Sequence, residues 1–181
     1  MLDVGLKQIP IDIQRDYGAL LEPAERIETG SFRLTDIRRS LGDYEDQRVS
    51  CYVVDENGMA MANVNVAFAF STANNFYLDD DFKWLPPRPY RAFITQTDGA
   101  GKAEMILGAE GVVKSGDVGG VTCYVFEPEY SSDIVTGLGM LADHTGLVLT
   151  FQLQRAGVVP FNQRLAAIEQ RLEALEAKIE R

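Results

Sequence analysis

The chain has 181 residues, room for one domain of ordinary size plus appendages, with 46% hydrophobic and 24% charged residues as in a typical globular protein. No run approaches the roughly eighteen consecutive apolar residues that a membrane span needs, so no membrane partner is expected. A net charge of −10 argues against a phosphate-binding surface, and neither nucleic acid nor a cofactor is expected.

Residues 1–45 mix short apolar stretches with Pro10, Pro23, Gly5, Gly18, Gly30 and many charges, without a sustained period. Nothing at the start resembles a secretory leader, so synthesis in the cytoplasm is the expectation. Ile9-Pro10-Ile11-Asp12-Ile13 suits a short extended strand, because proline and its predecessor favour that geometry. Leu34 to Gly42 suits a single helical turn ended by the glycine. The segment reads as an extended N-terminal arm. Ile9, Ile11, Ile13, Leu20, Leu21, Ile27 and Phe32 make it too apolar for a plain linker, so it is expected to order against other structural subunits.

Residues 46–156 read as all-β. Arg48–Val54 ends at Asp55-Glu56-Asn57-Gly58, and Ala62–Phe70 alternates strictly, with Val64, Val66, Phe68 and Phe70 on one face. Arg91–Thr97 runs into the turn Asp98-Gly99-Ala100-Gly101, and Lys102–Leu107 leaves it. Gly119–Phe126 and His144–Leu153 complete the set. Strands separated by Gly/Asn/Asp turns predict an antiparallel β-sandwich.

Three segments carry a resemblance: Val54-Asp55-Glu56-Asn57-Gly58, Ala62-Asn63-Val64-Asn65-Val66, and Thr97-Asp98-Gly99-Ala100-Gly101-Lys102-Ala103. Over residues 50–107 this resembles the bacterial Ig-like and transthyretin-like modules, with a D-x-x-G hairpin followed by a T-D-x-x-G-x-A turn. The chain departs from that pattern at Met61-Ala62, where the modules usually place Pro, and in the long insertion Ser71–Tyr90. The resemblance implies an Ig-like adhesive or spacer domain, generally without catalysis.

The insertion is the most site-like stretch. It holds the single Trp, Trp84, with Tyr77, Phe82 and Tyr90, three prolines, and the run Asp79-Asp80-Asp81. Aromatic faces backed by carboxylates suit a sugar ring, so Tyr77, Asp79, Asp80, Asp81, Trp84 and Tyr90 are the candidate ligand or partner contacts. The plainer readings are a plug for one end of the sandwich or a subunit contact, since Trp, Tyr and Arg are typical interface anchors. Three consecutive Asp on an extended chain alternate in direction and do not converge on one ion, so no metal site is expected. Gly99-Ala100-Gly101-Lys102 lacks the spacing of a phosphate loop and reads as a hairpin turn. His144, the sole His, stands without a nucleophile motif, so no catalytic residue is assigned and the chain is not expected to be an enzyme. Cys51 and Cys123 sit in apolar strands and read as buried thiols.

In the C-terminal segment 157–181, Phe161, Leu165, Ile168, Leu172, Leu175 and Ile179 are spaced 4, 3, 4, 3 and 4 apart, a heptad seam. Arg164 and Arg171 at g precede Glu169 and Glu176 at e by five residues, as a parallel homo-oligomer requires. A lone helix of this length is marginal in water, so the stripe must be buried, by self-association or by folding back on its own domain. Self-association into a trimer is the leading expectation; mixed Leu and Ile leave dimer and tetramer open. Arm, sandwich and coiled coil together resemble a bacteriophage structural protein, as a fibre, adaptor or decoration subunit in a virion. A carbohydrate-binding module using residues 74–90, meeting a surface glycan, is the alternative.

Overall fold

The computed structural model describes residues 5–25, 29–40, 48–70, 83–85, 90–107, 119–139, 141 and 145–155. The seam residues Phe161, Leu165, Ile168, Leu172, Leu175 and Ile179 lie outside them, as do Tyr77, Asp79, Asp80, Asp81 and His144.

The protein is mainly β, and its described residues form two sheets and one helix, α1 (Ile11–Tyr17). The strands are β1 (Leu20–Glu22), β2 (Ser31–Arg39), β3 (Arg48–Val54), β4 (Asn65–Phe70), β5 (Lys83–Leu85), β6 (Tyr90–Gln96), β7 (Lys102–Ile106), β8 (Gly119–Val125), β9 (Ser131–Ser132), β10 (Ile134–Gly137) and β11 (Leu147–Gln154). The first sheet runs β1-β10-β8-β4-β6-β5 and is antiparallel throughout. The second runs β7-β3-β11-β2-β9. Its β3–β11 and β2–β9 pairs are parallel, so it is mixed, where the turn signals pointed to antiparallel pairing alone. Turn residues report only on strands that neighbour each other in sequence; β3 and β11 do not.

Alternation fills the space between the sheets. Val66, Phe68, Val121 and Cys123 from the first sheet and Leu34, Val49, Cys51, Leu149 and Phe151 from the second belong to one buried cluster. β11 shows the period most cleanly, with Leu147, Leu149, Phe151 and Leu153 buried and the residues between them half-buried.

The turns at Asp55 and Asp98 have matching chemistry. Asp55 Oδ1 accepts from the N–H groups of Asn57 and Met59 at 2.8 and 2.9 Å. Asp98 Oδ1 accepts from those of Ala100 and Lys102, both at 2.9 Å. Neither turn closes a hairpin between the strands it joins. Each carries the chain from one sheet to the other, β3 to β4 and β6 to β7. Side-chain capping of the backbone fixes a sharp reversal whichever sheet the next strand joins.

The stretch 1–45, expected as an extended arm, contributes α1, β1 and β2 to this framework. Ile9–Ile13 is not a strand. Ile9, Ile13 and Tyr17, four residues apart, are buried, whereas Ile11 is 79% exposed, so the operative period is helical. Pro10 stands at the N-cap, where a missing N–H costs nothing, and Gly18 closes the helix at φ 72°. The expected helical turn after Leu34 is strand β2. Leu34 and Ile37 both face the core although three residues apart, because a bulge against Thr150 and Phe151 absorbs the extra residue. At Gly146 an added Cβ would stand 1.8 Å from the Arg48 carbonyl oxygen, so the start of β11 requires glycine.

The Tyr17 hydroxyl donates to the carbonyls of Thr145 at 2.9 Å and Gly146 at 3.3 Å, tying α1 to the start of β11. Tyr17→Phe is therefore expected to cost about 1 kcal/mol and Tyr17→Ala about 3–5 kcal/mol in denaturant unfolding. Ile11→Ala should stay within about 0.5 kcal/mol. Equal losses at Ile11 and Tyr17 would contradict the helical packing.

Candidate functional site

Of the aromatic candidates, Trp84 lies in β5 opposite Arg91, and Tyr90 opens β6 opposite Leu85. The pair is the antiparallel edge of the first sheet, not a loop. Adjacent positions of such a ladder alternate between its two faces.

The most polar buried point of the fold is elsewhere. Asp133, between β9 and β10, has no exposed surface. Its Oδ1 accepts from Arg33 Nε at 2.8 Å and from the Ala24 N–H at 2.7 Å. Its Oδ2 accepts from the Leu34 N–H at 2.8 Å. The Asp133 N–H donates to the Phe32 carbonyl, also at 2.8 Å. Arg33 is itself 7% exposed, so this ion pair is desolvated on both sides. It fixes three backbone segments and, with no exposed surface, is out of a substrate's reach, which makes it a positioning element.

What it positions is a groove of about 560 Å³ between the chain leaving β1 and the chain joining β8 to β10. Among the described residues, Tyr124, Phe126 and Tyr130 supply its aromatic surface and Glu22, Glu25 and Glu127 its carboxylates. Tyr124 and Phe126 meet edge to face at 6.3 Å, and Tyr130 meets Phe32 likewise at 5.5 Å. Glu127 Oε1 accepts from the backbone and side-chain nitrogens of Asn65 at 2.7 and 3.0 Å. The Ser131 hydroxyl donates to the Glu25 carbonyl and the Thr29 hydroxyl to that of Glu129. Burial first, and Cys123 second, push the Tyr124 phenol upward, so it stays neutral at physiological pH.

A second feature is a cleft of about 240 Å³ on the outer face of the second sheet, lined by Arg38, Arg39, Arg48, Lys102 and Tyr52. Arg48 pairs with Glu104 at 2.9 Å and Lys102 with Glu104 at 2.5 Å, while Arg39 pairs with Asp16 of α1. The hydrogen bond to Glu104 raises the Lys102 pKa, and the reciprocal bond lowers that of Glu104. Sequence reading found no basic cluster because these cations come from three separate strands. The register would have exposed it: Ser50 opposite Glu104 and Tyr52 opposite Lys102 put both charges in neighbouring rows.

Cys51 and Cys123 are free and buried. Burial, then proximity to Cys51, holds the Cys123 thiol well above its ordinary value, so it is protonated and inert. Among the described residues no group of three His, Cys, Asp or Glu side chains could hold a metal ion. Comparison with protein-family models, curated proteins and solved structures finds no match.

Two expectations follow. Asp133→Leu alone should cost about 3–5 kcal/mol by stranding the buried guanidinium, and adding Arg33→Met should recover much of that loss in chemical denaturation. A double variant as unstable as the single one would remove the ion pair from its central place. The Lys102–Glu104 pair contributes stability above the unfolded carboxylate pKa, lost as pH falls through the depressed Glu104 value. On the alkaline side it is lost as pH rises through the raised Lys102 value. Glu104→Gln should accordingly flatten the acid limb of a melting-temperature profile and leave neutral stability little changed, because both side chains are about one-third exposed.

Proposed function

We propose that the chain is a non-enzymatic structural subunit of a larger assembly: an Ig-like domain clamped into a homotrimer by a coiled coil over 157–181, serving as a bacteriophage fibre, adaptor or decoration protein. The observation that supports this reading is the place of β11. It is the middle strand of the second sheet, paired along its whole length with β2 and over most of it with β3. It ends at Gln154, and the heptad seam begins at Phe161. A clamp attached there would pull on the best-held strand of the domain and load its ladder in shear.

Attachment to neighbouring subunits through the first 45 residues belongs to the same proposal. Ile11 at 79% and Leu20 at 55% exposure are apolar side chains of that stretch turned to solvent. The competing reading is a carbohydrate-binding module built on 74–90; Trp84 and Tyr90 share the β5–β6 pair but stand in adjacent rows, which face opposite sides of the sheet. Oligosaccharide titrations followed by the fluorescence of the single Trp separate the two, since a response at Trp84 supports only the module.

The proposal is tested by light scattering on the full chain and on Leu172→Lys, which puts a charge in the seam. The expected masses are three times the 20.0 kDa chain and one chain respectively. A monomeric full chain would sink the clamp.

A further inference from the structure

The chain has two cysteines, and the fold brings them together from opposite sheets. Cys123 lies on β8, an interior strand of the first sheet, flanked by Phe68 of β4 and Val135 of β10. Cys51 lies at the middle of β3, an interior strand of the second, flanked by Leu149 of β11 and Ala103 of β7. Neither has any exposed surface, and both belong to the one buried cluster that fills the space between the sheets. The Cys51 side chain is a hydrogen-bond partner of the Cys123 thiol, so the two sulfurs face each other across that space.

A bond between them would join the centres of the two sheets, independently of the Arg33–Asp133 pair. About 70 residues separate the two cysteines, so the cross-link would withdraw much conformational freedom from the unfolded chain. The closed domain does not make this bond readily. A disulfide forms by attack of a thiolate on a disulfide oxidant, and burial both keeps Cys123 protonated and bars the oxidant from either sulfur. The reaction belongs to moments when the sheets are apart, during folding or a later opening.

We propose that Cys51 and Cys123 form an inter-sheet disulfide that locks the sandwich whenever it closes in the presence of a disulfide oxidant, while a domain closed under reducing conditions keeps both thiols. One cysteine thiolate attacks a sulfur of the oxidant, giving a mixed disulfide and releasing half of the oxidant as a thiolate. The second cysteine thiolate then displaces the other half as the sheets come together. Two electrons pass from the cysteine sulfurs to the oxidant, and the two thiol protons end on its released halves. The domain is thereby more stable in oxidising surroundings than in reducing ones. This inference goes beyond the assembly role and does not depend on the trimer.

The test unfolds the full-length chain in denaturant and refolds it with either oxidised glutathione or dithiothreitol. Refolding with oxidised glutathione is expected to give a chain about 2 Da lighter, with no thiol left to alkylate after denaturation and one Cys51–Cys123 cross-linked peptide. Its melting temperature should exceed that of the reduced chain by about 5–15 °C, and dithiothreitol added to the unfolded chain should abolish the gain. Cys123→Ala should show no such gain. The folded, reduced chain held at room temperature with the same oxidant should keep both thiols over hours. Warmed toward its melting temperature it should acquire the cross-link, a readout that does not require refolding from denaturant. Two alkylatable thiols after oxidative closure, a bond between chains in place of one within a chain, or a cross-linked domain that melts no higher than the reduced one would overturn the proposal. Oxidation of the folded chain as fast as that of the refolding chain would overturn the requirement for opening.

Discussion

A carboxylate with no water around it must be given its hydrogen bonds by the protein, and the way Asp133 obtains them organises the whole domain. Its two oxygens draw in the Arg33 side chain and the Leu34 N–H from β2 and the Ala24 N–H from the link after β1. One link therefore joins the first sheet, through β1 and β10, to the second, through β2. Such a pair contributes modest net stability against an apolar replacement of equal shape. Its effect is on specificity: any arrangement that separates these segments strands a charge in a low-dielectric interior, so alternative packings of the N-terminal stretch are excluded.

Much else depends on that closure. With β2 held, β11 acquires its second neighbour and becomes the middle of the second sheet. With Ala24 held, β1 can pair with β10 and one wall of the acidic groove is set. Ile9, Ile13 and Tyr17 then cover the core beside the start of β11. Residues 5–25 and 29–40 are thus part of the sandwich's own structure, whatever they also touch in an assembly.

How much of this was legible follows from the range of each signal. β3, β4, β6, β7, β8 and β11 emerge nearly at their true bounds because period-two alternation is local. α1 was missed because Ile9-Pro10-Ile11-Asp12-Ile13 alternates as a strand would, and only the burial of Tyr17 decides for the helical period. β2 was missed because its bulge breaks the alternation between Leu34 and Ile37. β9 and β10 are too short to show a period at all. The Arg33–Asp133 pair joins positions a hundred residues apart, and neither residue differs in type from the exposed charges around it. The groove stayed hidden for the same reason. Its aromatic residues lie within Tyr124–Tyr130, but the carboxylates of the facing wall come from Glu22 and Glu25. The sequence directed attention to the denser cluster at 74–90.

The most direct test of this account is amide hydrogen exchange, followed by mass spectrometry, on the full chain and on Asp133→Asn. If the buried carboxylate ties the two sheets together, the substitution will lower protection jointly in 11–18, 31–36 and 131–137, as one cooperative opening. Lost protection confined to the residues beside position 133, with α1 and β2 exchanging as before, would contradict the central role given to the pair.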